Sequence, residues 1–113
     1  MSCIFCEIVA GRAPAQIVYQ DEQVTAFRDV RPRAPTHILI IPNEHIESID
    51  TLDDDQRVAA AGACLRVAKD LAKQANLNGG YRVVANVGPD SGQSVFHLHF
   101  HLLGGRRMSW PPG

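Results

Sequence analysis

Near the C-terminus, histidine alternates strictly with large apolar residues over the run His97-Leu98-His99-Phe100-His101-Leu102-Leu103. Strict alternation predicts a β-strand, because successive side chains of a strand point to opposite faces. At a rise of about 3.3 Å per residue, the three imidazoles would lie roughly 7 Å apart in a row. We expect the apolar side chains to pack into the core and the histidines to occupy the open face.

Three kinds of site are compatible with such a row. Histidine is tolerated on a solvated strand face, but three of the chain's five histidines in one run argue against that interpretation. Two rings spaced two residues apart can bind one metal ion through nitrogens at about 2.1 Å. One ring can instead act as nucleophile or base near neutral pH, while the others orient it or carry protons. We favour a division of labour among the three.

The loop before this run offers hydrogen-bond donors for a phosphate. Residues 88–94 contain two glycines, whose backbone can approach a ligand closely, together with the Gln93 amide and the Ser94 hydroxyl. A Gly/Ser loop alone is more often a plain turn. Its position next to the histidine run is what favours an anion-binding role.

The elements that must position these residues follow from the periodicity. A short helix is expected over residues 4–9, capped by Ser2 and ended by Gly11. Apolar residues at three- and four-residue spacings, Val58 and Leu65 among them, predict a long helix over residues 53–75. The strand-like segments are residues 17–19, 24–27, 37–42, 81–86 and 97–103.

This order of elements predicts the fold class. Strands without interleaved helices indicate an α+β fold, with a five-stranded, mostly antiparallel sheet and the long helix on one face. Residues 37–42 are the most apolar run and are expected to form a central strand that is buried on both faces.

Length and charge limit the function. With 113 residues, the chain is expected to be one domain over residues 1–113. The formal net charge of -1 argues against a nucleic-acid surface, so a phosphate-bearing ligand must be held by a few local donors. No apolar run approaches a membrane span and no leader pattern is present, which predicts a cytoplasmic protein without a membrane partner.

Three cysteines cannot all pair, which fits a reducing compartment. Cys3 and Cys6 form a C-x2-C pair, a spacing found at zinc and at redox sites, and two reduced cysteines without a metal are the alternative. Cys64 lies in the long helical pattern and is expected to be a buried apolar side chain.

The histidine run resembles the histidine triad motif of the HIT superfamily of nucleotide hydrolases and transferases. The flanks extend the resemblance, with Gly92-Gln93-Ser94-Val95 before the run and Gly104-Gly105-Arg106-Arg107-Met108-Ser109-Trp110-Pro111-Pro112-Gly113 after it. Ala34-Pro35-Thr36-His37 and Gly80-Tyr81-Arg82-Val83-Val84-Ala85-Asn86 also fit, so the resemblance covers nearly the whole chain. It is similar to the Hint branch of purine-nucleoside phosphoramidases, and it implies a HIT-like fold.

The resemblance implies that His99 is the nucleophile that attacks the α-phosphorus and forms a nucleotidyl-histidine, without a catalytic cofactor. Its other ring N–H would be held by a backbone carbonyl, and His101 would contact the phosphate or the leaving group. His37 and Ser94 are further catalytic candidates, although His37 could equally be a satisfied core histidine.

The resemblance also implies a purine nucleotide site. Phe5, Ile8, Phe27 and Val30 would form a slot for the base, and Asp29 would accept from the ribose, although a solvated loop acid is the commoner role. The full set of implied nucleotide-binding residues is Phe5, Ile8, Phe27, Asp29, Val30, Asn86, Gly92, Gln93, Ser94, His99 and His101.

Zinc and a partner subunit complete the implied assembly. In bacterial relatives a structural zinc is held at the positions of Cys3, Cys6, His45 and His97, and animal Hint proteins lack the cysteine pair. A homodimer is implied, with the long helix and residues 80–85 near the two-fold axis. Trp110 is expected either to pack or to shape leaving-group preference from the partner.

Two other functions stay open from the sequence. The chain could be a dinucleoside polyphosphate hydrolase or a nucleotidyltransferase of the same superfamily. It could also be a nucleotide-binding or interaction module with vestigial catalysis.

Overall fold

The computed structural model describes residues 3–113 and contains one antiparallel sheet and two α-helices. The strands are β1 (Ile17–Gln20), β2 (Val24–Arg28), β3 (Thr36–Pro42), β4 (Tyr81–Ala85) and β5 (Phe100–Gly104). The helices are α1 (Ile4–Val9) and α2 (Asp55–Gln74), with short 3-10 helices at Ile49–Thr51 and Pro89–Ser91. The strands lie in the order β1-β2-β3-β5-β4, and each neighbouring pair is antiparallel. The predicted α+β fold is confirmed.

β3 is the middle strand and is buried on both faces, as its apolar run predicted. Ile38 and Ile40 pack into the main core with α2, whereas Leu39 and Ile41 point to the opposite face and join a smaller apolar cluster. The sheet therefore separates two cores.

α2 covers the main core with small side chains, including Ala61, Cys64 and Ala68, which allow close approach to the sheet. The helix begins at a side-chain cap, where Asp54 Oδ1 accepts from the Arg57 N–H at 2.8 Å. Val58 and Leu65 share the helical spacing but are 54% and 48% exposed, so the apolar surface of α2 is wider than its buried face.

α1 covers the other face of the sheet. Its predicted cap, Ser2, lies outside the described residues; the structure caps the helix with Cys3, whose Sγ accepts from the Cys6 N–H at 3.4 Å. Gly11 ends the segment with φ at +77°, a conformation that glycine adopts without strain. The buried face of α1 presents Phe5 and Ile8 to the smaller cluster.

The predicted seven-residue histidine strand is wrong at its start, since β5 begins only at Phe100. In the β3–β5 register Ile40 faces Phe100, so pairing before Phe100 would run toward Pro42, which has no N–H to donate. Side-chain alternation nevertheless continues, because Leu98 lies in the main core with Phe100 and Leu102.

The expected open histidine face is also wrong. His97 is fully buried and His99 is 9% exposed, because α1 lies over this side of the sheet and the Phe5 ring packs edge-on against both imidazoles. Only His101 is partly open.

Among residues 3–113, no helix has both the length and the apolar character that a bilayer crossing requires.

Candidate active site and metal centre

His99 is held in one tautomer by the main chain. Its Nδ1 lies 2.8 Å from the carbonyl oxygen of His97, so Nδ1 carries the proton and donates it. In the neutral ring this leaves a lone pair on Nε2. The Phe5 ring packs edge-on at 5.1 Å between centroids and fixes the plane of the imidazole. The predicted backbone acceptor is present.

A hydrogen-bond chain also sets the tautomers of His37 and His101. The Arg33 N–H donates to His37 Nδ1 at 3.0 Å, so the neutral His37 ring must carry its proton on Nε2. That Nε2–H lies 3.0 Å from His101 Nδ1, which accepts it. His101 therefore carries its own proton on Nε2 and is a donor at its outer nitrogen.

The surroundings keep both rings of this pair neutral. Burial, together with the neighbouring His99 and His37, lowers the pKa of His101 to about 4. Burial also lowers the pKa of His37, and the nearby Asp29 carboxylate only partly opposes this effect. Neutral rings are what the Arg33–His37–His101 chain requires.

His37, His101 and Asp29 are close enough to suggest a second metal site, but their hydrogen bonds argue against one. Because Arg33 occupies the lone pair of His37 Nδ1, His37 Nε2 is protonated and has no lone pair for a metal. Asp29 Oδ2 lies 3.4 Å from that Nε2, and Oδ1 accepts from the Arg31 N–H at 2.8 Å. The trio is therefore a hydrogen-bonded group.

A second cluster has the side chains of a zinc site, and its ligand atoms all lie within 4.8 Å of one another. Its members are Cys3, Cys6, His45 and His97. His97 Nδ1 lies 3.4 Å from Cys3 Sγ and 3.6 Å from Cys6 Sγ, and His45 Nδ1 lies 3.3 Å from Cys6 Sγ. A tetrahedral zinc with ordinary bond lengths places sulfur and nitrogen ligands about 3.6 Å apart. The four side chains fit a structural zinc ion.

The protonation of His97 agrees with this fit. Its Nε2 lies 2.8 Å from the Pro42 carbonyl oxygen and donates to it, so the lone pair of Nδ1 faces the two sulfurs. Four protein ligands close a tetrahedral coordination sphere, as in structural rather than catalytic zinc sites. His97 thus contacts two groups. Its ring faces the cysteines of the metal cluster, and its carbonyl oxygen accepts the hydrogen bond from the His99 ring.

The loop of residues 88–94 is organised by Gln93, and this corrects the prediction that its amide is a free phosphate donor. Gln93 Oε1 accepts from the Gly88 N–H at 2.8 Å, and its Nε2 donates to the carbonyls of Glu47 and Val95. With both ends engaged, the buried side chain holds the loop. Gly92, in a left-handed conformation, and the exposed Ser94 remain available to a ligand.

Asn86 also supports this loop, since its Nδ2 donates to the Ser91 carbonyl at 2.7 Å.

Phe5, Ile8 and Phe27 lie together in the smaller apolar cluster, as a base slot requires, but they are buried. Val30 is 92% exposed and belongs to neither cluster. Trp110 is 85% exposed, so the expectation that it packs within the chain is wrong.

Sequence reasoning missed the Arg33 N–H, the Pro42 carbonyl and the Arg106 side chain. The first two are main-chain groups, and since every residue type supplies a carbonyl and every type except proline supplies an N–H, the residue type gives no signal for either role. Arg106 donates from Nε to the Arg33 carbonyl at 3.0 Å. Its only signal in the sequence is its place directly after Gly104, which ends β5, and Gly105.

The HIT domain model matches residues 10–108 of this chain. The chain belongs to the HIT family. Its predicted membership and HIT-like fold are confirmed.

Individual relatives agree with the family assignment. The 14 kDa zinc-binding protein of Zea mays is 51% identical over 111 residues, which cover 97% of this HIT chain and 87% of the maize protein. A HIT family hydrolase from Legionella pneumophila superposes with a TM-score of 0.94 at 49% identity, covering 99% of this chain and 100% of the other. A zinc-bound histidine triad family protein from Mycobacterium smegmatis gives a TM-score of 0.79 at 33% identity, covering 94% and 76% of the two chains.

Proposed function

We propose that this HIT protein is a nucleotide hydrolase that cleaves the P–N bond of purine nucleoside 5′-phosphoramidates, with His99 as covalent nucleophile. The observation that carries the proposal is the hydrogen bond from His99 Nδ1 to the His97 carbonyl, which leaves the Nε2 lone pair free on a ring whose centroid lies 5.1 Å from that of His101. A neutral imidazole with a defined tautomer is a good nucleophile at neutral pH.

The reaction would proceed in two displacements at phosphorus. His99 Nε2 attacks the α-phosphorus while the His101 Nε2–H donates a hydrogen bond to the phosphoryl oxygens, the P–N bond breaks, and the departing nitrogen takes a proton from solvent water. Water then attacks the nucleotidyl-His99 phosphorus, the bond from His99 Nε2 to phosphorus breaks, and the proton lost by the water returns to solvent. The products are the amine and the nucleoside 5′-monophosphate, with both histidines restored.

The nucleotide would lie along the side of His99 that faces Phe5 and the loop of residues 88–94. Backbone N–H groups near Gly92 and the Ser94 hydroxyl would bind the phosphate, and Asp29 would accept from the ribose hydroxyls. Phe5, Ile8 and Phe27 would form the apolar wall of the base slot. The exposed Val30 would close it from the β2–β3 loop.

Zinc at Cys3, Cys6, His45 and His97 would have a structural role in this enzyme. It would pin α1 to the residue whose carbonyl orients His99. The maize relative is named for zinc binding and the Mycobacterium smegmatis relative is zinc-bound, which supports this proposal.

A homodimer is supported by the outer edge of the sheet. Tyr81 and Val83 of the edge strand β4 face Gly104 and Leu102 of β5 in register, which places them on the α2 side of the sheet. They are half-exposed, as are Val58 and Leu65 on α2. Exposed apolar side chains on a strand edge and on a helix are both suited to pairing with a second copy across a two-fold axis.

The test is hydrolysis of adenosine 5′-phosphoramidate by the wild type, His99→Ala and His99→Asn. We expect both variants to lose roughly three orders of magnitude or more in kcat while remaining folded. Asparagine keeps a side-chain amide that can donate to the His97 carbonyl, so it separates loss of the nucleophile from loss of the fold. A nucleotidyl adduct on His99 of the wild type, found by mass spectrometry of quenched reactions, would establish the nucleophile.

Two results would contradict the proposal. Turnover of diadenosine polyphosphates far faster than that of the phosphoramidate would reassign the substrate to another branch of the superfamily. Nucleotide binding without turnover or adduct would favour a binding module.

A further inference from the structure

The segment after β5 is attached to the loop that precedes β3. Arg106 Nε donates to the Arg33 carbonyl oxygen at 3.0 Å. One residue earlier, Gly105 has φ at +91°, and a Cβ there would lie 2.9 Å from Pro35 Cβ. Two adjacent residues of the tail therefore contact one short loop, through a hydrogen bond and through close packing.

The same loop residue contacts the proposed catalytic histidines. Arg33 presents its carbonyl to Arg106 and its N–H to His37 Nδ1 at 3.0 Å. His37 Nε2 in turn lies 3.0 Å from His101 Nδ1. A continuous series of hydrogen bonds thus runs from the Arg106 guanidinium, through the Arg33 main chain and His37, to the His101 ring.

Each hydrogen bond of this series has a defined donor and a defined acceptor. Without the Arg33 N–H, His37 could hold its proton on either nitrogen, and its Nε2 could become an acceptor. His101 would then be free to turn its proton toward His37, and its outer nitrogen would no longer be a donor. The donor at His101 Nε2 therefore depends on where the Arg33 backbone is held.

We infer that Arg106 is a positioning residue: by anchoring the Arg33 carbonyl, it keeps the Arg33 N–H on His37 Nδ1 and so fixes the tautomers of His37 and His101. Arg106 is exposed, and its side-chain hydrogen bonds go to the Arg33 and Arg107 carbonyls, so we expect its replacement to leave the protein folded. Its effect on catalysis rests on the proposed function, whereas its effect on the imidazole tautomers does not.

The experiment compares Arg106→Ala, Arg106→Lys and the matched control Arg107→Ala, the neighbouring arginine. Long-range 15N–1H spectra of histidine-labelled protein report which ring nitrogen carries the proton. In the wild type and in Arg107→Ala, we expect His37 and His101 to be protonated on Nε2 and His99 on Nδ1. In Arg106→Ala, the His37 and His101 signals should shift toward mixed tautomers while those of His99 stay unchanged.

Kinetics on the phosphoramidate give the second readout. We expect kcat of Arg106→Ala to fall about tenfold to a hundredfold with little change in KM, because the donor is misplaced rather than the nucleotide site lost. Lysine supplies one donor at a similar reach and should restore part of kcat.

The two readouts distinguish the possible failures. Unchanged His37 and His101 tautomers in Arg106→Ala would overturn this inference whatever the activity. Shifted tautomers in a protein without phosphoramidase activity would uphold the positioning role and contradict the proposed function instead. An equal loss of kcat in Arg107→Ala would also overturn the inference, because general loss of positive charge would then be the cause.

Discussion

Main-chain groups control the protonation of the histidines in this molecule. The His97 carbonyl directs the proton of His99, the Pro42 carbonyl directs that of His97, and the Arg33 N–H directs that of His37. The sequence grouped His97, His99 and His101 because their alternation is a local pattern, whereas His37 and His45 were assigned by family resemblance. It could not predict their tautomers, since peptide groups have no residue-type signal.

The buried neutral state of His101 predicts a pH dependence of stability. Its pKa is lowered from 6.5 to about 4, so between these values the unfolded chain binds a proton that the folded chain does not. The free energy of unfolding should therefore fall as pH drops from about 6.5 toward 4, and this contribution should be constant above that window. His101→Asn keeps an acceptor for His37 but removes the titrating ring.

The measurement is the denaturant midpoint of both proteins from pH 4 to 8. The difference in unfolding free energy between the two should change with pH only below about 6.5, with the wild type losing more. Parallel curves throughout would show that His101 does not titrate as the structure indicates. Other groups that titrate in this pH range are present in both proteins, so their effects on the unfolding free energy cancel in the comparison.

Among the elements, α1 agrees with its predicted span at both ends, and every other α-helix and strand except β5 agrees to within two residues at each end. For β3 and α2, a long apolar run and a 3.6-residue repeat are each sufficient signals. The start of β5 was wrong because strand pairing depends on the neighbouring strand. Pro42, 55 positions away from His97, ends the ladder that the alternation alone would extend.

The metal cluster shows the same limit. Cys3 and Cys6 are recognisable by their local spacing, whereas His45 and His97 are brought to them only by the fold and were assigned by family resemblance. Gln93 was misjudged for a related reason, since its partners at Glu47 and Val95 become visible only when the loop is folded.

The attachment of α1 by zinc leads to a prediction about metal content. Cys6→Ala should lose the near-stoichiometric zinc of the wild type, whereas Cys64→Ala should keep it, because the Cys64 thiol is buried in the main core and lies outside the cluster. Elemental analysis of protein purified without chelator measures this directly.

Chelation should then lower the melting temperature of the wild type and of Cys64→Ala but not that of Cys6→Ala, since only a bound metal adds stability. A wild-type protein without zinc, or a Cys6→Ala protein that retains it, would contradict the four-ligand assignment.

Packing of α2 on the sheet should account for much of the stability of the fold. Leu71 is buried against the main core, so Leu71→Ala should cost about 2–5 kcal/mol of unfolding free energy through lost burial and a residual cavity. Val30→Ala, at a highly exposed position, should change it by less than about 0.5 kcal/mol. Urea denaturation of both variants measures the difference; a similar small loss in each would mean that α2 docks more loosely than the structure shows.

In the molecule as a whole, α2 and β4 both carry large apolar side chains that the fold of one chain leaves exposed. The sequence grouped Leu65 with the buried residues of α2 because periodicity reports apolar surface, not which partner covers it. In the proposed dimer both kinds of apolar residue on α2 are buried, one set by the sheet and the other by a second copy.

This assembly predicts different effects of a charge at opposite edges of the sheet. Leu65→Glu should shift the protein from dimer to monomer at micromolar concentration, because a carboxylate would be buried in the interface without a partner. Ile17→Glu, at 41% exposure on the opposite edge strand β1, should leave the dimer intact. Sedimentation velocity distinguishes the species, and a monomeric wild type would exclude the proposed interface.

The double use of His97 also affects how mutational scans of this protein should be interpreted. Its ring faces the cysteines, but its carbonyl, which orients His99, would be supplied by any amino acid placed there. An activity-only screen would therefore score position 97 as catalytic, although in the proposed mechanism its imidazole takes no part in bond making. Measuring abundance beside activity for each substitution would separate the two, and position 97 should then group with the core residues.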